Sequence, residues 1–218
     1  MLTPIRPDLL ETPTYSPFPG LTTHAYLWTP PSGGNVLFYS PGDAADFDIL
    51  TEHGGIAHQY LSHQDEAGPI LRAIAARFGA VLHAPEGDLA GVAEHATPGV
   101  LLAGRGIDAN GVEVIPTPGH TPGSTSFLVT GSDGARYLFT GDTLYRGADG
   151  RWNAGYLPGM SDGAQLLASL EVLGGLEPDL VVSSAFAGEH GAHTVDPANW
   201  RRTVAETAER LATGVLAR

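Results

Sequence analysis

The 218-residue chain contains no cysteine. This absence excludes disulfide bonds, thiolate nucleophiles, cysteine-ligated zinc and iron–sulfur clusters. Any metal ion would therefore be held by histidine and carboxylate side chains, the other common protein ligands. The sequence has nine histidines and 24 acidic residues, which is enough for such a site.

Basic residues are also few. Eleven lysine and arginine residues stand against 24 acidic ones, which gives a net charge of −13 at pH 7. Nucleic-acid backbones and anionic membrane surfaces attract proteins through clustered basic side chains. We therefore expect neither nucleic acid nor membrane as a partner, and we expect a small-molecule substrate.

Long apolar runs are missing as well. No segment is apolar over the length that a membrane span requires. The first seven residues lack the basic segment and apolar stretch of a signal peptide, which predicts a cytoplasmic protein. No linker separates two self-sufficient apolar blocks, so we expect a single domain over residues 1–218.

Strand-type segments dominate what the sequence does contain. Apolar segments at 22–29 and 35–39, separated by a turn rich in proline and glycine, predict an opening β-hairpin. Amphipathic helices are predicted at 69–78, 164–173 and 197–211. Many strands with few helices favour packed sheets whose outer faces are covered by helices.

Two long connections are predicted to lack regular structure. Residues 86–106 are predicted to be mostly loop, apart from a short strand near 100–102. Residues 147–159 are rich in glycine and contain Trp152 and Tyr156, which is typical of a lid or substrate loop.

Two turns in the middle of the chain carry the strongest functional signal. A strand at 112–115 leads into Pro-Gly-His-Thr-Pro-Gly-Ser, which contains His120, and a strand at 137–139 leads into Thr-Gly-Asp-Thr-Leu, which contains Asp142. Each strand thus delivers a metal-competent side chain into a tight turn, where accessible sites usually form. Either turn alone would be unremarkable, but together they predict a site.

A third segment joins them. Leu-Ser-His-Gln-Asp-Glu at 61–66 follows a predicted strand and precedes the helix at 69–78. These three segments resemble those of the metallo-β-lactamase superfamily, which includes glyoxalase II-like hydrolases. The resemblance implies an α+β fold, a four-layer αββα sandwich, and metal-dependent hydrolysis. It places His120 at a zinc-ligand position and Asp142 at the carboxylate that bridges two metal ions.

The resemblance also marks departures from the pattern His-x-His-x-Asp-His. His63 and Asp65 match the second histidine and the aspartate, but Leu61 stands for the first histidine and Glu66 for the last. Near the C-terminus, Ala185 takes the place of a further histidine ligand, for which His190 could substitute. The active site is therefore predicted to be degenerate.

The remaining ligands predict one divalent metal ion rather than two. His63, His120 and Asp142 form a set suited to zinc, iron or manganese. Asp65, Glu66 and Asp142 form an all-oxygen set that would hold zinc less well. The resemblance further implies that Asp65 orients a water molecule and takes up its proton as a catalytic base.

Several alternatives stay open at this stage. Asp65 and Glu66 could instead complement the dipole of the helix that follows them, without any metal. Thr121 and Ser124 are expected to brace the His120 loop by hydrogen bonding, and His193 could reach the site together with His190.

Two functions are compatible with this sequence. The first is a metal-dependent hydrolase of a small ester, thioester or related substrate. The second is a non-catalytic binding or regulatory protein that keeps the fold and holds no metal. The proline-rich first 19 residues could also form the arm of a homodimer.

Overall fold

A computed structural model describes residues 1–42, 46–186 and 190–216. The strands up to residue 102 are β1 (Thr3–Arg6), β2 (Leu9–Glu11), β3 (Tyr15–Phe18), β4 (Leu21–Thr23), β5 (Tyr26–Trp28), β6 (Val36–Phe38), β7 (His58–Tyr60), β8 (Val81–Pro85) and β9 (Val100–Leu102). The later strands are β10 (Gly106–Ile107), β11 (Glu113–Pro116), β12 (Thr125–Thr130), β13 (Arg136–Gly141), β14 (Leu144–Arg146), β15 (Trp152–Ala154), β16 (Leu180–Ser183), β17 (Ala185–Phe186) and β18 (Ala192–Thr194).

Helices are placed between these strands. The α-helices of the described residues are α1 (Phe47–Glu52), α2 (Ile70–Phe78), α3 (Leu89–Ala93), α4 (Gly163–Gly174) and α5 (Pro197–Leu211). Short 3-10 turns lie at Gln64–Glu66 and Glu86–Asp88, and a π-helical turn lies at Ala212–Leu216. Among these residues, no helix has the length and apolar character needed to cross a membrane.

Two large sheets form the centre of the described structure. The first has the strand order β1-β2-β5-β6-β7-β8-β9, and the second has the order β10-β11-β12-β13-β16-β18. The predicted opening hairpin is present, because β5 and β6 pair antiparallel. Strands β3, β4 and β17 make a small third sheet, and β14 pairs with β15.

The main core lies between the two large sheets. Phe38 of the first sheet stacks on Phe139 of the second, with ring centroids 3.9 Å apart. Alternation along β12 directs Phe127 and Val129 into this core and Leu128 to the opposite face. The two sheets thus bury one apolar face each against the other.

Helices cover the outer faces. Leu166 of α4 and Trp200 of α5 pack with Leu128 on the second sheet, while Phe47 of α1 and Ile74 of α2 pack on the first. Helix, sheet, sheet and helix follow one another as four layers. The predicted αββα sandwich is therefore confirmed.

The predicted helices agree with the structure, and their ends have clear causes. The Asp162 side chain accepts from the first N–H groups of α4, and Asp196 does the same for α5, which begins at Pro197. Helix α2 ends at Gly79, which adopts the left-handed conformation at φ 68°.

The prediction that residues 86–106 and 147–159 lack regular structure was only partly correct. Helix α3 lies within 86–106, where Val92 packs against Leu61 in a small apolar cluster. Strand β15 lies within 147–159 and pairs with β14. Its first residue, Trp152, packs edge-on against Trp200, with ring centroids 5.5 Å apart. Both elements are short and depend on distant partners, so local sequence patterns did not reveal them.

Parallel pairing brings the important strand ends together. Strands β6, β7 and β8 run parallel in the first sheet, and β13 and β16 run parallel in the second. Strand β11 runs in the same direction as β13, because both pair antiparallel with β12. The segments that follow β11, β13 and β16 therefore leave the second sheet at one edge, where the segment that follows β7 also lies.

Candidate metal centre

His63 lies just after β7, where the chain leaves the first sheet. The preceding Leu61 is fully buried in the cluster that contains Leu71 and Val92. The His63 ring is 2 % exposed, and its Nδ1 atom lies 2.9 Å from Ser62 Oγ and 3.2 Å from Glu66 Oε1. With Nδ1 fixed in this way, Nε2 points away from the turn.

His120 is held by the turn that follows β11. Gly119 has φ +135°, and a Cβ there would lie 2.3 Å from the backbone nitrogen of Leu166, so the turn packs directly on α4. His120 Nδ1 donates to the Gly155 carbonyl at 2.7 Å. This bond places a proton on Nδ1, so Nε2 is the nitrogen that faces the interior and, in the neutral ring, carries the lone pair.

Asp142 follows β13 and lies between the two histidines. The preceding Gly141 has φ +53°, and a Cβ on it would lie 2.2 Å from Ser62 Oγ. Asp142 Oδ1 accepts from Ser184 Oγ at 2.5 Å and from the Ala185 N–H at 3.1 Å. Asp142 Oδ2 is directed towards the histidines.

These side chains form one cluster. Ligand atoms of His63, Asp65 and His120 all lie within 4.8 Å of one another. Asp142 Oδ2 is 3.6 Å from His63 Nε2 and 3.8 Å from His120 Nε2, and Asp65 Oδ2 is 3.5 Å from His120 Nε2. The structure therefore brings four of the five predicted ligands together.

The cluster fits a metal ion. Both Nε2 atoms are buried and have no hydrogen-bond partner among the described residues, which is costly for polar atoms. The separations exceed those of good hydrogen bonds. They are close to the distance of about 3.3 Å between two ligand atoms of a tetrahedral zinc ion, when each ligand atom lies about 2.0–2.1 Å from the zinc.

The pKa shifts indicate strong coupling within the cluster. Burial would lower the pKa of His63, but Asp142 and Glu66 hold it well above its usual value. Burial would raise the pKa of Asp142, but His63 and His120 hold it well below its usual value. The His120 contact lowers the pKa of Asp65. The carboxylates therefore stay ionised, which suits cation binding.

Comparisons with known proteins give the family. The family model of the metallo-beta-lactamase superfamily matches residues 49–185, which include all the residues of the cluster. The chain belongs to the metallo-β-lactamase superfamily. The fold is also similar to that of a metallo-beta-lactamase from Pontibacter korlensis, with TM-score 0.72 and 19 % identity over 97 % of this chain and 98 % of that one.

Two curated relatives that resemble this chain share one name. A hydroxyacylglutathione hydrolase of Acidiphilium cryptum is 32 % identical over 85 % of this chain and 76 % of its own length. One of Dechloromonas aromatica is 30 % identical over 73 % of this chain. The match covers only 57 % of that second relative. The superfamily and these relatives support a metal-dependent hydrolase in general.

Glu66 is the predicted ligand that the structure does not bring to the cluster. Its carboxylate accepts from the Ser62 N–H at 2.8 Å and from the Ser62 hydroxyl, and its Oε1 faces His63 Nδ1. The carboxylate therefore lies on the side of the His63 ring that faces away from Nε2. In this position it can orient the ring and raise the basicity of Nε2.

A Glu66→Gln substitution is expected to weaken metal binding without abolishing it. Loss of the carboxylate behind His63 removes the ring's charged partner, so metal affinity should fall by about 10- to 100-fold. Competition with a chelating dye would measure this change. Glu52→Gln, at an exposed position, is the control. An unchanged affinity would contradict the assigned role of Glu66.

Asp88 is a site-supporting residue that the sequence did not reveal. Its carboxylate is 1 % exposed and accepts from Gln64 N–H at 3.0 Å, Gly123 N–H at 2.8 Å and Thr121 Oγ1 at 2.6 Å. It thereby joins the turn of His63 to the turn of His120. Thr121 also bonds to Ser124 at 2.7 Å, so both hydroxyls brace the turn as expected.

An Asp88→Ala substitution is expected to cost about 3 to 5 kcal/mol in the free energy of unfolding, since two N–H groups and one hydroxyl lose a buried charged acceptor. Urea denaturation would measure the loss. Asp48→Ala is the control, because the Asp48 side chain is 93 % exposed and pairs only with exposed Arg77 among the contacts described for it. A loss below about 1 kcal/mol would show that Asp88 does not hold the two turns together.

Tyr39 is another supporting residue, at the end of β6. It adopts φ 70°, a rare conformation for a side chain of this size. Its hydroxyl donates to the Val182 carbonyl at 2.8 Å and accepts from the Gly141 N–H at 3.0 Å. Burial raises its pKa well above the usual value, so it stays a neutral donor. Tyr39 thus ties the first sheet to the strand ends that carry Asp142.

The remaining predicted candidates lie outside the cluster. His193 is in β18, with its ring 5.7 Å from Trp152, and the described lining of the cavity beside the cluster includes neither His193 nor His190. Residues 187–189 lie outside the described residues. Trp152 packs in the core beneath α5, whereas Tyr156 lines the cavity.

Proposed function

We propose that this protein is a hydrolase of a small ester or thioester that works with a single divalent metal ion. One observation carries the proposal. Two buried imidazole Nε2 atoms have no hydrogen-bond partner among the described residues, and both lie within 3.9 Å of the Oδ2 atoms of Asp65 and Asp142. Paired histidines and carboxylates with free positions are the usual ligand set of a hydrolytic metal ion.

A single ion is favoured by the contacts of Leu61, Glu66 and Ala185, which stand where the superfamily pattern has histidine ligands. Leu61 is buried in an apolar cluster, and Glu66 faces the back of the His63 ring. At the third position, the Ala185 N–H and the Ser184 hydroxyl occupy Asp142 Oδ1. No histidine side chain from these three positions is therefore directed at the cluster, and Asp142 Oδ2 remains as the oxygen that faces His63 and His120.

The ligand atoms that remain are enough for one ion. His63 Nε2, His120 Nε2 and Asp142 Oδ2 would hold it, with zinc, iron or manganese as the suitable elements. Bound there, the ion would supply a Lewis acid that polarises a carbonyl group and acidifies water.

Asp65 is the proposed base. Its side chain is 44 % exposed and lines the cavity, in contrast to the buried histidines. The pKa of Asp65 is lowered, first by the contact with His120, so the group is an ionised acceptor at neutral pH. A carboxylate placed beside the polarised carbonyl can orient a water molecule and take up its proton.

The cavity fits a small substrate. Its volume is about 1020 Å³, at the upper end of the range of typical small-molecule sites. Tyr145 and Tyr156 lie on its wall, and burial followed by the charge of Asp142 raises the pKa of Tyr145. The Tyr145 hydroxyl is therefore a proton-bearing donor at neutral pH.

The test is a hydrolysis assay with controlled metal content. Protein stripped with chelator is assayed against p-nitrophenyl butyrate and a butanoyl thioester, before and after addition of one equivalent of zinc, iron or manganese. We expect turnover only after metal addition. Absence of turnover with every metal, in protein that binds the metal, would overturn the proposal.

A non-catalytic binding protein is the second candidate, because three positions that carry histidine ligands in the superfamily pattern carry Leu61, Glu66 and Ala185 here. It would bind no stoichiometric metal, and its melting temperature would not respond to chelator. Cytoplasmic location, a homodimer, and the absence of nucleic-acid and membrane partners also stand as proposals.

A further inference from the structure

The wall of the cavity beside the metal cluster has an unusual chemical composition. Apart from the cluster residues, Glu66 and His24, the described lining consists of glycine, proline, serine, threonine, alanine, aliphatic and tyrosine side chains. Apolar contributions come from several separate elements of the chain. They include Pro17, Leu21, Pro69, Ile70 and Leu157.

Basic side chains are missing from this wall. The described lining includes no arginine, and the sequence contains no lysine. The undescribed residues 43–45 and 187–189 read Asp-Ala-Ala and Ala-Gly-Glu, and among all the undescribed residues only Arg218 is basic.

The arginines bond elsewhere in the described structure. Arg6 donates to Thr194, Arg146 to the Gly150 carbonyl, and Arg210 to the Trp152 carbonyl. Arg105 pairs with Glu113. None of these partners belongs to the described cavity lining, so these contacts place no guanidinium group on the described wall.

Acidic groups, by contrast, face the cavity. Asp65, Glu66 and Asp142 all belong to its lining. A divalent cation would balance two of these charges. A carboxylate on the part of a substrate distant from the ion would then meet apolar wall and negative field, with no cation to pair with it.

We propose that the site selects substrates whose leaving half is uncharged, and that it discriminates against anionic thioesters such as those of glutathione. This inference rests on the proposed hydrolase function. The expected substrate is a neutral ester or thioester with an apolar acyl chain, which the proline, leucine and isoleucine side chains of the wall would cover. The tyrosine hydroxyls would supply its polar contacts.

A matched pair of thioesters tests the discrimination. S-hexanoyl-N-acetylcysteamine has a neutral thiol half, and S-hexanoylglutathione has two carboxylates and one ammonium group, while the acyl chain is the same. With zinc-loaded protein, we expect kcat/KM to be at least about tenfold higher for the neutral thioester. Equal values, or a preference for the glutathione thioester, would overturn the inference.

Binding without turnover separates this inference from the proposed function. The S-hexyl thioethers of the same two thiols cannot be hydrolysed, so calorimetry on the zinc-loaded protein gives their Kd directly. A Kd at least about tenfold lower for the neutral thioether supports the inference even if neither thioester is hydrolysed. Hydrolysis of both thioesters with a glutathione preference would overturn the inference alone.

A charge variant provides an independent test. Leu157 lines the cavity and is 40 % exposed, so an arginine there can keep its charge in water. Relative to Leu157→Gln, we expect Leu157→Arg to shift the ratio of the two kcat/KM values at least about fivefold towards the glutathione thioester at low salt, and less at high salt. An unchanged ratio would contradict the electrostatic basis of the discrimination.

Discussion

Replacing His120 with alanine is expected to remove both the bound metal and the hydrolytic activity. The ring supplies a buried Nε2 atom that faces Asp65 and Asp142, and its Nδ1 atom is fixed by Gly155. Without it, two of the three proposed ligands remain, His63 and Asp142, which are too few to hold the ion tightly. We expect kcat/KM to fall by at least about 10³-fold and metal content to fall below one tenth of an equivalent.

The matched control is His53→Ala, which removes an exposed histidine that follows α1. Both variants should unfold cooperatively, so circular dichroism would confirm that the His120 variant is folded. Retained hydrolysis in folded His120→Ala protein under chelation would contradict a metal-dependent reaction at this cluster.

Asp65→Asn is expected to separate catalysis from metal binding. An amide keeps the size of the carboxylate but cannot take up a proton, so kcat should fall by about 10²- to 10⁴-fold. His63, His120 and Asp142 remain, so we expect metal content to stay near one equivalent. Steady-state kinetics and elemental analysis of the same sample would show both results.

Asp48→Asn, on an aspartate whose side chain is 93 % exposed, is the control for this change. If Asp65→Asn loses its metal, the carboxylate is a required ligand instead of a base. If kcat changes by less than about fivefold, another group performs the proton transfer.

Much of the fold was predictable from local patterns. Continuous apolar runs in β12 and β13 are typical of strands buried on both faces, and the caps Asp162 and Asp196 define the starts of α4 and α5. The turns of His120 and Asp142 were predictable because both follow an apolar strand and contain glycine. Such signals lie within a few residues of each other in the chain.

The supporting residues were not predictable because their partners are distant in sequence. Asp88 bonds to residues 24, 33 and 35 positions away, and Tyr39 bonds to Gly141 and Val182 across the sheets. An aspartate in Glu-Gly-Asp and a tyrosine before a serine carry no local sign of these contacts. Only the packing of two sheets brings them to the site.

The altered positions are also explained by the three-dimensional structure. Leu61 has become part of the core, Glu66 supports the His63 ring, and the Ala185 N–H bonds to Asp142. Each of these positions therefore has a defined contact in the structure. The sequence predicted that they depart from the superfamily pattern, but it could not show that Glu66 lies behind the His63 ring.

Metal content per chain tests the central claim most directly. The protein would be purified without added metal, reconstituted with zinc, iron or manganese, desalted, and measured by elemental analysis against its concentration. We expect close to one equivalent of one divalent metal, lost in His120→Ala and kept in His53→Ala. Two equivalents, or none after reconstitution, would contradict a single-ion site.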